Sequence, residues 1–468
     1  MSQTRPPSPT EETSGGGEPS LKQVMGPGLL LLFIIGDILG TGIYALTGEI
    51  AGEVGGAAWL PFAIAFTVAL ITACSYLELV TKYPQAAGAA LYVHKAFGKH
   101  LLTFLVCFAV MCSGITSASA ASRAFAANLA TGFGLDVGNG VILLIALAFM
   151  LLILAVNLRG VGESVKINVL LTAVELSGLL IVILISLFFI LGGNADFSRV
   201  VAFETASDKS VFLAVSTATS LAFFAMVGFE DSVNMAEETK NPARIFPRMM
   251  FTGLGITGLI YVLVSICAVA VVPVGQLSDS ETPLATVVQT AAPGFPIADL
   301  LPFISLFAVA NSALINMLMA SRLLYGMSKQ GVLPSFLAKV HPGRRTPQAA
   351  IVFTTVIALG LITFVSLSPD SPVVSLLGGT TSLLLLAVFA LVNVSVLVLR
   401  REKAATGHFS AGRVLPVVGA ITCLYLVLPW SSGRPAGQYK IAGVLLALGL
   451  ILWVVTWYAR KKEDARVG

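Results

Sequence analysis

Charged residues are scarce in this chain, whose 28 Lys and Arg and 24 Asp and Glu make up only 11% of 468 residues. Soluble globular proteins carry about 25% charged residues, whereas 56% of the residues here are hydrophobic. So little charge excludes a disordered chain or a nucleic-acid-binding protein, and it cannot cover the surfaces of about three soluble domains. The composition therefore predicts a polytopic helical membrane protein.

Cysteine and histidine are also rare, with five and four residues. All five cysteines lie in apolar runs, and their odd number and the lack of a CxxC pair exclude a disulfide framework and a zinc motif. The histidines are scattered in or near loops. We therefore expect neither a bound metal nor another cofactor.

Twelve apolar runs match, or nearly match, the roughly 20 helical residues that cross a bilayer. They lie near residues 28–47, 57–80, 101–130, 139–157, 165–191, 211–235, 249–272, 297–320, 348–367, 373–398, 414–430 and 441–459. The run at 414–430 is the weakest, because it is short and contains Pro416 and Pro429. Residues 1–22, rich in Pro, Ser, Gly and Glu, predict a disordered tail that lacks the pattern of a cleavable signal peptide.

Basic residues are distributed unevenly over the predicted loops. With the N-terminus on the cytoplasmic side, 23 of the 28 Lys and Arg fall on that side of the membrane. The outer segments hold the other five, which are Arg123, Arg199, Lys209, Arg434 and Lys440. Basic loops face the cytoplasm, so the sequence predicts a plasma-membrane protein with both termini cytoplasmic.

Two of the runs carry features that favour a broken helix. The first contains Gly36, Asp37, Gly40, Thr41 and Gly42 within one short stretch. The sixth, FFAMVGFED, contains a glycine followed closely by two adjacent carboxylates. Glycines alone are equally compatible with close helix packing, but charged groups inside a span are costly and usually functional.

Interrupted helices at corresponding positions of two halves point to the binding site of a transporter. An unwound segment exposes the N–H groups of one half-helix and the carbonyl groups of the other. The N–H end suits a carboxylate, and the carbonyl end suits an ammonium group or a small cation. A zwitterionic amino acid matches both ends.

Several long stretches resemble the amino acid–polyamine–organocation (APC) superfamily, most of all the cationic amino acid transporters and their bacterial relatives. They are GTGIYALTGEIAGEVGGAAWLPF (40–62), YPQAAGAALY (83–92), RGVGESVKINVLLTAVEL (159–176), FFAMVGFEDSVNMAEETKNPARIFPR (223–248) and SRLLYGMSKQGVLPSFLAKVHPGRRTP (321–347). The resemblance implies an all-α membrane fold of the LeuT type: twelve helices, with a five-plus-five inverted repeat and broken helices 1 and 6. It divides the chain into a tail (1–22), a transport core (23–400) and two C-terminal helices with a cytoplasmic tail (401–468).

The resemblance also implies roles for residues at the two breaks. Backbone N–H groups would bind the substrate carboxylate at Gly40, Thr41, Gly42 and Ile43. Carbonyl groups would bind the α-amino group at Ala225, Met226 and Gly228, and Phe224 would be an aromatic gate. Glu230 falls where relatives often have an acidic residue that takes part in proton coupling.

Four acidic residues are predicted to lie inside the membrane and are candidates for coupling or ion binding: Asp37, Glu175, Glu230 and Asp231. Many relatives carry Lys where this chain has Glu175, so the local charge is inverted. Three roles are open for Glu175: it could bind a cation, be a buried protonated acid, or pair with a neighbouring group in the helix packing. Asp37 either lines the inner pathway or bonds to neighbouring helices. Glu230 and Asp231 cannot both face the substrate, because adjacent helical residues point about 100° apart.

We therefore expect a secondary active transporter for amino acids or related amines, coupled to protons or working by exchange, with sodium also open. Its partners would be a small-molecule substrate and the bilayer, not nucleic acid. Some relatives that favour cationic substrates use an acidic residue in the third helix, and this chain has none there. The resemblance therefore disfavours specificity for cationic amino acids unless Glu175, Glu230 or Asp231 supplies the charge. A polyamine permease of the same fold is the nearest alternative. A channel would need a selectivity filter or rings of charge, and a membrane-embedded enzyme would need clustered Asp or His residues.

Overall fold

The computed structural model describes residues 25–85, 88–159, 164–205, 209–294, 296–341, 346–367, 372–401 and 408–467, with the backbone alone at 164–167, 237, 296–299 and 460–467. The described residues are almost entirely helical. Among them are two isolated β-bridges, Met25 with Thr239 and Gly55 with Phe203, and no β-strand.

Seventeen α-helices occur in the described ranges. They are α1 Pro27–Ile38, α2 Thr41–Val54, α3 Trp59–Lys82, α4 Gly88–Phe97, α5 His100–Gly132, α6 Asn139–Arg159, α7 Ser164–Leu191, α8 Val211–Ala222, α9 Pro242–Val271, α10 Val274–Ser278, α11 Pro283–Ala291, α12 Pro296–Lys329, α13 Gln348–Ser366, α14 Val373–Leu399, α15 Val414–Val427, α16 Pro429–Ser432 and α17 Ala436–Val467. Short 3₁₀ helices occur at Gly56–Ala58, Arg199–Val201, Phe223–Met226, Asp231–Glu238 and Ser335–Ala338.

Eleven helical segments in the described chain are long and apolar enough to cross a membrane, and each overlaps one of the predicted runs. The remaining run, at 414–430, forms only the 14-residue helix α15. At about 1.5 Å per residue this helix spans roughly 21 Å, less than the roughly 30 Å of hydrocarbon. It ends because Leu428 is extended (ψ 132°) and Pro429 has no N–H group to continue the α15 hydrogen bonds. Eleven of the twelve predicted spans are therefore confirmed as helices of sufficient length, and a twelfth crossing at 414–430 stays a prediction.

The centre of the bundle is formed by α5, which packs against α12, α14, α6 and α13. On one side of it, α1 packs against α7 and α9, while α2 packs against α8, α10 and α11. The interior is lined mostly by small and aliphatic side chains, together with an aromatic cluster in which Tyr76 meets Tyr92, Phe229 and Phe389. This packing brings α1, α2 and α8 together in the interior.

Glu78, at the end of α3, forms hydrogen bonds with the segment that follows α14. The sequence spacing predicts its pairing with Lys82, but its carboxylate accepts two hydrogen bonds from Arg400, at 2.8 and 2.7 Å, and one from the backbone N–H of Ala411. Lys82 donates to the backbone carbonyl of Leu399. The ends of α3 and α14 are therefore fastened to one another across more than 300 residues of sequence.

Candidate functional site

The first break separates α1 from α2 at Leu39 and Gly40. Leu39 has an extended backbone (ψ 136°), so the helix stops there and restarts at Thr41. Glycine is required next to this break because other chain segments come very close. A Cβ atom on Gly42 would lie 2.5 Å from Cα of Ala225, and one on Gly36 would overlap the side chain of Thr172 on α7.

The second break follows α8. The chain passes through a 3₁₀ turn at Phe223–Met226, an extended Val227 (ψ 144°) and a second 3₁₀ segment that begins at Asp231. Gly228 has φ +127°, a conformation that side chains disfavour. A Cβ atom there would also lie 2.6 Å from the carbonyl oxygen of Asp37. The glycine is thus needed both for its backbone angle and for the close approach of α1.

The two breaks contact each other in the interior of the bundle. Gly42 packs on Ala225, and Gly228 packs on the backbone of Asp37 and Ile38. All eight residues predicted to bind substrate lie in these two segments and are buried: Gly40, Thr41, Gly42, Ile43, Phe224, Ala225, Met226 and Gly228. Residues 40–43 and 224–228, far apart in sequence, are therefore side by side.

Some backbone N–H and carbonyl groups at the breaks already form hydrogen bonds within the protein, and others have no partner within their own helix. Thr41, Gly42 and Ile43 form the first turn of α2, where N–H groups have no partner inside the helix. The carbonyl of Ile38 accepts a hydrogen bond from the Tyr261 hydroxyl at 2.7 Å. On the other segment, the carbonyls of Phe224 and Gly228 accept bonds from Val227 and Asp231. The start of α2 therefore has N–H groups without a helical partner, and it lies beside a segment in which some carbonyls are already bonded.

The four acidic candidates differ in their surroundings. Glu175, on α7, is fully buried, and neither carboxylate oxygen has a hydrogen-bond partner among the described residues. Asp37 is 9% exposed, and its Oδ2 also lacks such a partner. Glu230 accepts a bond from the N–H of Gly228 at 2.9 Å, while the partly exposed Asp231 contacts Asn234. The acids closest to the first break are therefore the ones whose oxygens are unsatisfied.

Glu175 lies next to the first break and to α12. One of its oxygens and the hydroxyl of Ser312 both come within about 4 Å of the position that a Cβ atom on Gly40 would occupy. The hydroxyl of Tyr44 donates to the backbone carbonyl of Glu175 at 3.0 Å. Polar groups from α2, α7 and α12 thus converge at this point.

Sequence reasoning missed two residues that shape the breaks. Tyr261 on α9 caps the carbonyl of Ile38, and Gly378 on α14 leaves room for the ring of Phe224. A tyrosine in an apolar span is a usable signal, because a buried hydroxyl usually finds a partner. The sequence does not indicate which carbonyl accepts this hydrogen bond, since Tyr261 and Ile38 are 223 residues apart.

At the end of the breaks that carries Met25 and Thr239, the chain is closed by backbone contacts. The N–H of Met25 donates to the carbonyl of Glu238 at 3.0 Å, and the N–H of Lys240 donates to the carbonyl of Met25 at 3.1 Å. At the opposite end there is a cavity of about 350 Å³ lined by residues of α2, α8, α10, α14 and α17, several of them polar. The breaks therefore lie between a closed end and an end with a cavity.

Many apolar spans, two broken helices in contact and acids buried beside them define a multi-pass membrane transporter. Comparison with known families agrees. The profile of the family described as amino acid permease matches residues 29–457. The chain therefore belongs to the amino acid permease family, and it is an amino acid transporter rather than an enzyme.

Individual relatives carry names with different substrates. The chain is 26% identical to the branched-chain amino acid permease BcaP of Bacillus subtilis over 466 residues, which cover 95% of each chain. It is 26% identical to the methylthioribose transporter of Bacillus subtilis over 91% of this chain and 89% of the relative. It is 28% identical to the vacuolar cationic amino acid transporter 4 of Arabidopsis thaliana over 78% of this chain and 61% of the relative.

Proposed function

We propose that the chain is a secondary active transporter that moves amino acids across the cytoplasmic membrane by alternating access. Residues 23–400 would form a five-plus-five inverted repeat, with broken helices in its first and sixth spans. The short helices α15 and α16 together would make an eleventh crossing and α17 the twelfth, with both termini cytoplasmic. The excess of basic residues on the N-terminal side supports this orientation.

The contact between the two breaks is the observation that carries the proposal. The substrate carboxylate would bind the N–H groups of Gly40, Thr41, Gly42 and Ile43, where the positive end of the α2 dipole lies. The ammonium group would bind carbonyls of Ala225, Met226 and Gly228. Phe224, whose ring rests on Gly378, would be the aromatic gate over the substrate.

Glu175 is the first candidate for coupling, because a buried carboxylate without partners costs several kcal/mol unless a proton or a cation neutralises it. Its neighbours Gly40 and Ser312 connect it to the substrate-binding break. Glu230, Asp37 and Asp231 are further candidates beside the breaks. Proton coupling, sodium coupling and exchange would all use a group of this kind.

The proposal is tested by uptake into proteoliposomes with a panel of labelled amino acids, comparing the wild type with Gly42→Ala. The added methyl group would lie 2.5 Å from Cα of Ala225, so the two breaks could not approach one another and uptake should be lost. Gly255→Ala is the matched control, because a Cβ atom on this α9 glycine meets nothing within 4 Å. Uptake of no amino acid by the wild type, or equal uptake by wild type and Gly42→Ala, would contradict the proposal.

A further inference from the structure

The corner between α4 and α5 carries four basic side chains within seven residues: His94, Lys95, Lys99 and His100. His94 is half-buried, and the other three are exposed. Gly98, with φ +60°, turns the chain between the two helices. The centroids of the two imidazole rings lie 5.3 Å apart. The corner therefore presents its basic groups together on the surface, where a ligand can reach them.

The positive charge of this corner has no carboxylate within ion-pair distance in the part of the chain that the structure describes. The ammonium group of Lys95 instead lies over an aromatic ring, with its Nζ 4.8 Å from the centre of Tyr83. The Nζ of Lys82 lies 5.3 Å from the same ring centre. One ring thus holds two ammonium groups near each other, so an anion at the corner would be attracted by both.

The packing of α17 against α5 brings aromatic side chains to the same corner. The ring of Trp453 on α17 stacks on Phe104 of α5, with centroids 6.5 Å apart. A Cβ atom on Gly449, one turn earlier in α17, would lie 2.5 Å from the ring of Phe108, one turn later in α5. The two helices are therefore antiparallel, and one more turn along α17 places Trp457 level with the first residue of α5.

Trp457 and Tyr458 mark the boundary of the bilayer at this level. They are 48% and 62% exposed, and Trp and Tyr are enriched where a membrane meets water. On α5, the charged corner ends at His100, and the next residue, Leu101, is 40% exposed and belongs to the apolar span. The basic groups therefore lie at the depth of the lipid head groups, with apolar and aromatic surface beside them on the membrane side.

We infer that the α4–α5 corner and the adjacent turn of α17 form a binding site for an anionic phospholipid. Lys95 and Lys99 bind the phosphate through their charge, and the imidazole of His100 donates a hydrogen bond to it. Leu101 and Trp457 contact the glycerol backbone and the start of the acyl chains. A soluble anion would gain only the charged contacts, so a lipid is the occupant that matches both parts of the surface. In the proposed orientation, this site faces the cytoplasmic leaflet, where anionic lipids attract basic segments.

The test is native mass spectrometry of the full chain in detergent, titrated with phosphatidylglycerol and with phosphatidylcholine of the same acyl chains. We expect the first phosphatidylglycerol to bind at least tenfold more tightly than phosphatidylcholine. The double variant Lys95→Gln/Lys99→Gln should weaken phosphatidylglycerol binding at least tenfold, because each basic residue near the surface adds to the attraction. Lys95→Arg/Lys99→Arg keeps the charge and should bind like the wild type. Lys440→Gln, the same change at an exposed residue near the opposite end of α17, should leave binding unchanged.

Equal binding of the two lipids overturns the inference, as does phosphatidylglycerol binding that the double glutamine variant leaves unchanged. Competition separates a lipid from other anions. We expect inorganic phosphate and a soluble tetraglutamate peptide, each at the concentration of the lipid, to leave phosphatidylglycerol bound. Displacement by either would assign the corner to a soluble anion or an acidic peptide and overturn the assignment to a lipid. Both substituted lysines are exposed, so the variants should keep the helical circular dichroism of the wild type.

Discussion

The hydroxyl of Tyr261 should stabilise the first break by a measurable amount. It donates to the carbonyl of Ile38 at 2.7 Å, and Tyr261 itself is fully buried. Helix α1 ends at Ile38, and the fourth residue beyond it lies across the break in α2, so this carbonyl is among those that a helix end leaves without an internal partner. Tyr261→Phe keeps the ring and removes the only part of the side chain that reaches this carbonyl.

The expected cost follows from the environment of the bond. Leaving a buried acceptor unsatisfied costs about 1–3 kcal/mol, and the interior position of Ile38, which is 3% exposed, argues against replacement by bulk water. We therefore expect Tyr261→Phe to lower the free energy of unfolding by about 2 kcal/mol. The measurement is denaturant or thermal unfolding of the purified protein in detergent, followed by helical circular dichroism.

Tyr92→Phe provides the matched control. Tyr92 is as buried as Tyr261, but its hydroxyl has no hydrogen-bond partner among the described residues. Removing it should be neutral or slightly stabilising, because an unsatisfied buried hydroxyl is itself unfavourable. Equal destabilisation by the two substitutions, or none by Tyr261→Phe, would show that the hydroxyl of Tyr261 does not stabilise the break.

Three further substitutions test other parts of the structure. Glu175→Gln should abolish the dependence of uptake on a proton or sodium gradient if Glu175 is the coupling group, and an unchanged gradient dependence would assign it to packing. Glu230→Gln should change the gradient dependence of uptake less, because the amide oxygen of Gln can still accept the hydrogen bond from the N–H of Gly228. Complete loss of the gradient dependence would identify Glu230, rather than Glu175, as the coupling group. Glu78→Ala should destabilise the protein by about 1–3 kcal/mol, because the N–H of Ala411 loses its acceptor and Arg400 loses its ion pair, and an unchanged unfolding midpoint would contradict the pairing.

The sequence was sufficient to predict the spans and the location of the breaks. Apolar runs of helical length determine the spans, and the glycines and polar residues around Gly40 and Gly228 mark places where a continuous helix is unfavourable. The short α15 also follows from its sequence, because Pro429 ends it. These features depend on local properties of the chain, which is why they can be read without a structure.

Contacts between distant segments could not be predicted in the same way. Arg434 was assigned to an outer loop by its place between two apolar runs, yet it is buried and holds α8 and α14 through their carbonyls. Glu78 has a suitable partner four residues away in Lys82 but binds Arg400 instead. Such pairings depend on which helices pack together, and neither spacing nor composition specifies that arrangement.

If the amino acid binds both breaks through its two charged groups, derivatives that lack one of these charges should compete poorly for uptake. Proteoliposomes take up a labelled amino acid in the presence of the unlabelled amino acid, its methyl ester, its N-acetyl derivative or its decarboxylated amine. We expect strong inhibition by the parent amino acid and at least tenfold weaker inhibition by each derivative, because each lacks one of the two charges. Inhibition by the ester or the N-acetyl compound equal to that by the parent would contradict binding of both groups at the breaks.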